Sequence, residues 1–141
     1  MRHQIATNPS QSKCLLACGV DPNTADMYLS INMCPGENYG KYSTRVLGED
    51  LITLPKILRS IDYSPAWSLP ALLALLPKGI QYEGLQTNIK VEQCSRSGWS
   101  VSYYDYYMDD IAHEVRGFGI IESCVIMIEW LTANGYYLNT K

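Results

Sequence analysis

The sequence predicts an α+β fold: an antiparallel sheet of three or more strands packed against helices, with an α-β-β-β-α order in the C-terminal two-thirds. Three observations carry this. Leu85, Thr87, Ile89 and Val91 alternate with Gln86, Asn88, Lys90 and Glu92, the period of a half-buried strand. Ile121, Cys124, Val125, Ile128 and Leu131 recur at helical spacing and form one apolar stripe. Between them in kind is the run from Pro65 to Pro77, the longest charge-free apolar stretch of the chain, which suits a short buried helix. It falls far short of the roughly 20 residues that span a bilayer, so no membrane association is expected.

A chain of 141 residues with 47% hydrophobic and 18% charged residues is long enough to bury a substantial core, and a single domain over 1–141 is expected. Residues 1–9 are polar, end in Pro9 and read as a flexible lead-in. Ser10 or Ser12 caps a helix through Cys14–Cys18, which Gly19 ends. The Cys14/Cys18 spacing places two thiols on one helix face. A zinc site wants about four ligands and no second pair stands out, so burial is preferred to metal binding. Asp21-Pro22-Asn23-Thr24 is turn chemistry, with one helical turn to follow over Ala25–Met27. Tyr28–Met33 reads as a strand, Cys34–Gly40 as a loop, and Tyr42–Leu47 as a strand returning antiparallel. Leu54, Ile57, Leu58 and Ile61 predict a short helix starting near Thr53.

In the central run Ser68 is the N-cap and Pro70 falls in the first turn, where its missing N–H has no intrahelical partner to lose. Leu69, Leu72, Leu73 and Leu76 then form the inward stripe. After the 85–92 strand, Ser95-Arg96-Ser97-Gly98 is a turn, and Trp99, Val101 and Tyr103 alternate on the way back, which completes a hairpin. A third strand is expected over Glu114–Ile120. The 121–134 helix ends at Asn134-Gly135 in a left-handed cap, after which Tyr136–Leu138 fold back or add an edge strand.

The formal charge of −3 argues against a nucleic-acid partner bound through the overall field. Five cysteines, an odd number, follow an N-terminus without an apolar signal core, and a cytoplasmic setting is the expectation. Eleven tyrosines against one phenylalanine tilt the reading toward a binding surface, because amphipathic rings suit interfaces.

With Ala25-Asp26-Met27, Pro65-Ala66-Trp67-Ser68-Leu69-Pro70-Ala71-Leu72-Leu73 and Met127-Ile128-Glu129-Trp130-Leu131-Thr132-Ala133-Asn134-Gly135-Tyr136 in view, the chain resembles a group of small uncharacterised proteins of gut bacteria and their phages. The resemblance implies a bacterial or mobile-element setting and carries no activity. The helix–strand–strand–strand–helix order is also similar in outline to double-stranded-RNA-binding domains, and its last four elements to the antidote proteins of HicB-type toxin pairs. Such RNA binders present basic residues at the start of the final helix; here stand Ile120, Ile121 and Glu122, which counts against RNA.

The segment Tyr103–Glu114 gathers four tyrosines, four carboxylates and a histidine between two strands. From it Tyr103, Tyr104, Tyr106, Tyr107, Asp109, Asp110 and His113 are the candidate binding residues. His113 with a carboxylate is the sketch of an acid–base or metal site, against which stands a plain solvated connection. No nucleophile elbow, Cys/His signature or phosphate-binding glycine loop is present, and no cofactor is expected. Arg96 and Arg116 form a basic patch only where the hairpin turn approaches the third strand. The leading expectation is a protein-interaction module with an as yet unspecified protein partner. An antitoxin-like or nucleic-acid-associated protein is the first alternative, and an enzyme using the 105–114 acidic segment the second.

Overall fold

The computed structural model describes residues 4–31, 35–46 and 63–139. The chain divides into two compact units, Met1–Ala71 and Leu72–Lys141. Among the described residues the strands make two antiparallel sheets, one of three strands and one of four, so the α+β class stands. The helix expected from Thr53 lies outside the described residues.

The first unit opens with α1, Pro9–Ala17. Its cap is Asn8, not Ser10 or Ser12: the Asn8 side chain accepts from Gln11 N at 2.8 Å while Gln11 Oε1 accepts from Asn8 N at 3.0 Å, a reciprocal capping box. Pro9 fits the first helical position. At the far end Gly19 takes φ +90°, Val20 N donates to Leu15 O at 3.1 Å and Gly19 N to Leu16 O at 3.0 Å, a Schellman closure with Leu15 and Val20 both buried. The paired cysteines are half-buried, not buried as expected.

Within the stretch expected to be a lead-in, Ala6 and Thr7 make specific contacts, while Ile5 is exposed. Ala6 and Thr7 are buried, Ala6 forms an isolated bridge to Ser68, and Thr7 N donates to Trp67 O at 2.9 Å. Trp67 N returns a bond to Thr7 Oγ1 at 3.0 Å, and the indole N–H reaches Thr24 Oγ1 at 2.9 Å, so this fully buried ring has its polar handle satisfied. Asp21 caps a short 3-10 turn, Pro22–Thr24, three residues earlier than the helical turn expected over Ala25–Met27.

The first sheet has the order β2-β1-β3. β1, Met27–Ile31, pairs antiparallel with β2, Tyr42–Val46, as the sequence predicts, and also with β3, Tyr63–Ala66, a strand the sequence does not predict and whose last two residues open the Pro65–Pro77 run. Pro65 within β3 is tolerated because β3 is an edge strand. Met27 and Leu29 on the inward face of β1 form a core cluster with Ala6 and Ala66.

Helix α2, Leu69–Leu75, contains the division between units. Ser68 stands at its N-cap, 3.4 Å from Ala71 N, and is itself gripped by Asp26, whose carboxylate accepts from Ser68 N at 2.9 Å and from Ser68 Oγ. The buried leucines are Leu72, Leu75 and Leu76, while Leu73 is exposed. The stripe is thus turned from the one expected, because the helix is only seven residues long and its inward arc centres on the i, i+3, i+4 set from Leu72.

The second sheet runs β4-β5-β6-β7: Gly79–Tyr82, Leu85–Gln93, Trp99–Asp105 and Asp110–Phe118. The 85–104 hairpin is present, with Ile89 opposite Tyr103 and Val91 opposite Val101. β4 is a strand more than the periodicity revealed, and β7 starts four residues before the expected Glu114. Helix α3, Ile120–Ala133, packs on β6 and β7 through Ile121, Cys124, Val125, Ile128 and Leu131, all buried. Gly135, φ +80°, closes it as α1 is closed, with Tyr136 N donating to Leu131 O at 2.9 Å. The following residues turn back without forming a strand. Tyr136 Oη donates to Gln81 O at 2.9 Å, and Asn139 N and Nδ2 donate to Leu75 O and Leu76 O at 2.8 and 3.1 Å. Carbonyls left over at the end of α2 thereby find donors. Among the described residues no helix is long and apolar enough to cross a membrane.

Candidate functional site

Strand parity divides the candidate residues between the two faces of the second sheet. Tyr103 pairs with Ile89 and His113 on the face that α3 covers, whereas Tyr104 pairs with Asn88 on the other. Tyr103 is accordingly a core residue, 0% exposed, with its hydroxyl donating to Pro77 O at 2.8 Å; burial pushes its ionisation well above the ordinary tyrosine range. It is removed from the binding surface on which the sequence reading put it. The physical reason is that β6 is an interior strand covered by α3, and Tyr103 continues the Trp99–Val101 side of its alternation onto the covered face.

His113, on the same covered side, lies parallel to Trp130 with ring centres 4.3 Å apart and an interplanar angle of 4°. Tyr136 and Tyr82 complete an aromatic cluster around that indole, at 5.7 and 5.8 Å. Burial lowers the His113 pKa from its ordinary value. No group of three or more His, Cys, Asp or Glu side chains capable of holding a metal occurs among the described residues.

The remaining candidates cluster at the β6–β7 turn. Asp105, buried at the end of β6, organises it: Oδ1 accepts from Tyr107 N at 2.8 Å and Met108 N at 3.1 Å, and Oδ2 accepts from Gln86 N at 3.1 Å. The Met108 bond is the chief reason its pKa lies below the usual carboxylate range, with Tyr107 and Gln86 adding to it against the effect of burial. Asp109 takes φ +51°, a left-handed conformation that Asp tolerates, and Asp110 Oδ1 accepts from Ile111 N at 2.8 Å. Both aspartates therefore shape the chain reversal, and both are exposed.

Held on this turn, Tyr107 is 99% exposed, with Tyr106 and Met108 also well exposed. The Tyr106 ring meets Tyr104 edge-on at 4.7 Å, and Lys90 Nζ stands 4.7 Å from the Tyr104 ring centre, within cation–π range. Beside the knob is an open groove of about 570 Å³ whose walls include Gln81, Gln86, Asn88, Asp105, Tyr106 and Tyr107. Gln81 faces Gln86 across β4 and β5, and Gly79 faces Asn88, so the floor presents side-chain amides. Those amides were missed by sequence reasoning. Gln86 and Asn88 belong to the polar half of the 85–92 alternation, whereas Gln81 lies on β4, for which the periodicity carries no signal.

Compared with protein-family models, curated proteins and solved structures, the chain gives no significant match.

Proposed function

We propose that the chain is an intracellular protein-interaction module, of the bacterial and phage group that its motifs resemble, which docks a partner on the β6–β7 turn and the adjoining amide groove. The observation that carries this reading is the grip of Asp105 on the turn. Three backbone N–H groups converge on one carboxylate, so the exposed Tyr106, Tyr107 and Met108 are presented on a backbone already ordered. Ordering a loop on binding opposes affinity, and a pre-ordered aromatic tip avoids most of that cost. Tyrosine and methionine are the residue types enriched where protein surfaces meet, and tyrosine immobilises few torsions per unit of contact area. Amides on the groove floor supply both donors and acceptors, the complement of an exposed peptide backbone.

The test is capture by the full-length chain against its Tyr106→Ala/Tyr107→Ala double variant, followed by titration with the purified partner. Both rings are exposed, so the variant retains its fold. Loss of about 2 kcal/mol, roughly 30-fold in Kd, is the expected hot-spot effect. A partner bound equally by both proteins refutes the reading.

A further inference from the structure

Arg96 and Arg116 are brought together by a backbone contact. Cys94 N donates to Gly98 O at 3.0 Å to close the β5–β6 turn, and Gly98, at φ +80°, is so near β7 that an added Cβ would fall 2.6 Å from the carbonyl carbon of Gly117. The turn is thus seated on the end of β7, and between them opens a concavity of about 440 Å³ lined by Cys94, Ser95, Arg96, Ser97, Arg116 and Gly117. Among these residues none is acidic. Arg96 has no ion pair among the described residues, while Arg116 Nη1 stands 3.7 Å from Glu114 Oε1. Glu114 is held in turn by Ser100 Oγ, which donates to Oε2 at 3.0 Å, while the Arg116 side chain itself is largely exposed.

We propose that this concavity binds the phosphoryl group of a small phosphomonoester. Two guanidinium groups offer the planar, paired N–H donors that match phosphate oxygens, and the Ser95 and Ser97 hydroxyls flank Arg96 with further donors. A volume of 440 Å³ lies within the range of about 300–1,000 Å³ of ligand pockets and accommodates an organic group as well as the phosphate. The net charge of −3 disfavours an extended polyanion, while locally Arg96 and Arg116 together leave one positive charge in excess over Glu114 to attract a small anion. The site is separate from the aromatic knob, and neither reading depends on the other.

Titration of the full-length protein with inorganic phosphate and with phenyl phosphate, at constant ionic strength in chloride and followed by amide chemical shifts, tests the proposal. Saturable shifts confined to residues 94–98 and 114–117 are expected, with phenyl phosphate the tighter ligand. Arg96→Gln and Arg116→Gln, both at exposed positions, are each expected to weaken binding at least tenfold with the spectrum otherwise unchanged. Absence of saturable shifts at these residues, equal affinity in the variants, or preference for inorganic phosphate over the ester overturns it.

Discussion

The imidazole of His113 and the indole of Trp130 lie face to face, 4.3 Å apart and 4° from parallel, and join β7 to α3. Because burial depresses the His113 pKa, the unfolded chain binds a proton more readily than the fold does. The contribution of this group to stability is therefore fully present above the unfolded value of about 6.5 and declines as pH falls toward the folded pKa. An NMR titration is expected to place the His113 midpoint below that of an unfolded control, and His113→Phe is expected to flatten the stability profile in that window.

Asp105 has the same sign and a lower window. Its folded pKa is depressed first by the Met108 N–H and then by those of Tyr107 and Gln86, so its contribution is present above the ordinary carboxylate pKa and is lost as pH falls through the folded value. Asp105→Asn keeps the shape and removes the charge. Faster amide exchange at Tyr107 and Met108 and a lower melting temperature at neutral pH are expected, with the difference from the native protein shrinking in acid.

Gly98 and Gly135 share φ +80° and differ in surroundings: a Cβ at Gly135 meets nothing within 4 Å, one at Gly98 meets β7 backbone. Gly135→Ala is expected to cost about 1–2 kcal/mol, the strain of a left-handed alanine. Gly98→Ala adds a clash to the same strain, and overpacking costs a further 1–3 kcal/mol or so. Urea unfolding of the two variants is expected to rank them in that order.

Trp67→Ala removes a fully buried ring and orphans Thr24 Oγ1 as an acceptor. A loss of about 3–5 kcal/mol is expected on the scale of large aromatic deletions, measured by chemical denaturation.

The legible parts of the fold are those long enough for their apolar residues to keep a period. The 85–104 hairpin and the 120–133 helix are marked by the period of their apolar residues, although β6 is enclosed on both faces, with Ser100 and Ser102 as buried as Val101 and Tyr103, and Gly19 and Gly135 announce their caps through a conformation other residues resist. β3 and β4 were hidden because each is four residues long, too short to establish a period, and Pro65 argues against a strand unless its edge position is known. The same limit divided the candidate site. Tyr106 and Tyr107 belong to a turn and stay outside whatever the sheet does, whereas the fate of Tyr103 and His113 is set by which face α3 covers, a long-range fact. Gln81, Gln86 and Asn88 matter only because two strands place them side by side.

The hydroxyl of Tyr136 occupies an outward carbonyl of β4, a strand at the rim of its sheet. Exposed rims invite uncontrolled growth by strand addition, and β4 carries neither a lysine nor a proline within Gly79–Tyr82 to discourage it. The chain supplies the guard from elsewhere, by way of the Gly135 turn that delivers Tyr136 to Gln81. One acceptor of that rim is thereby denied to an incoming strand, and a Tyr136→Phe chain that folds normally yet self-associates more than the native protein on concentration is the expected outcome.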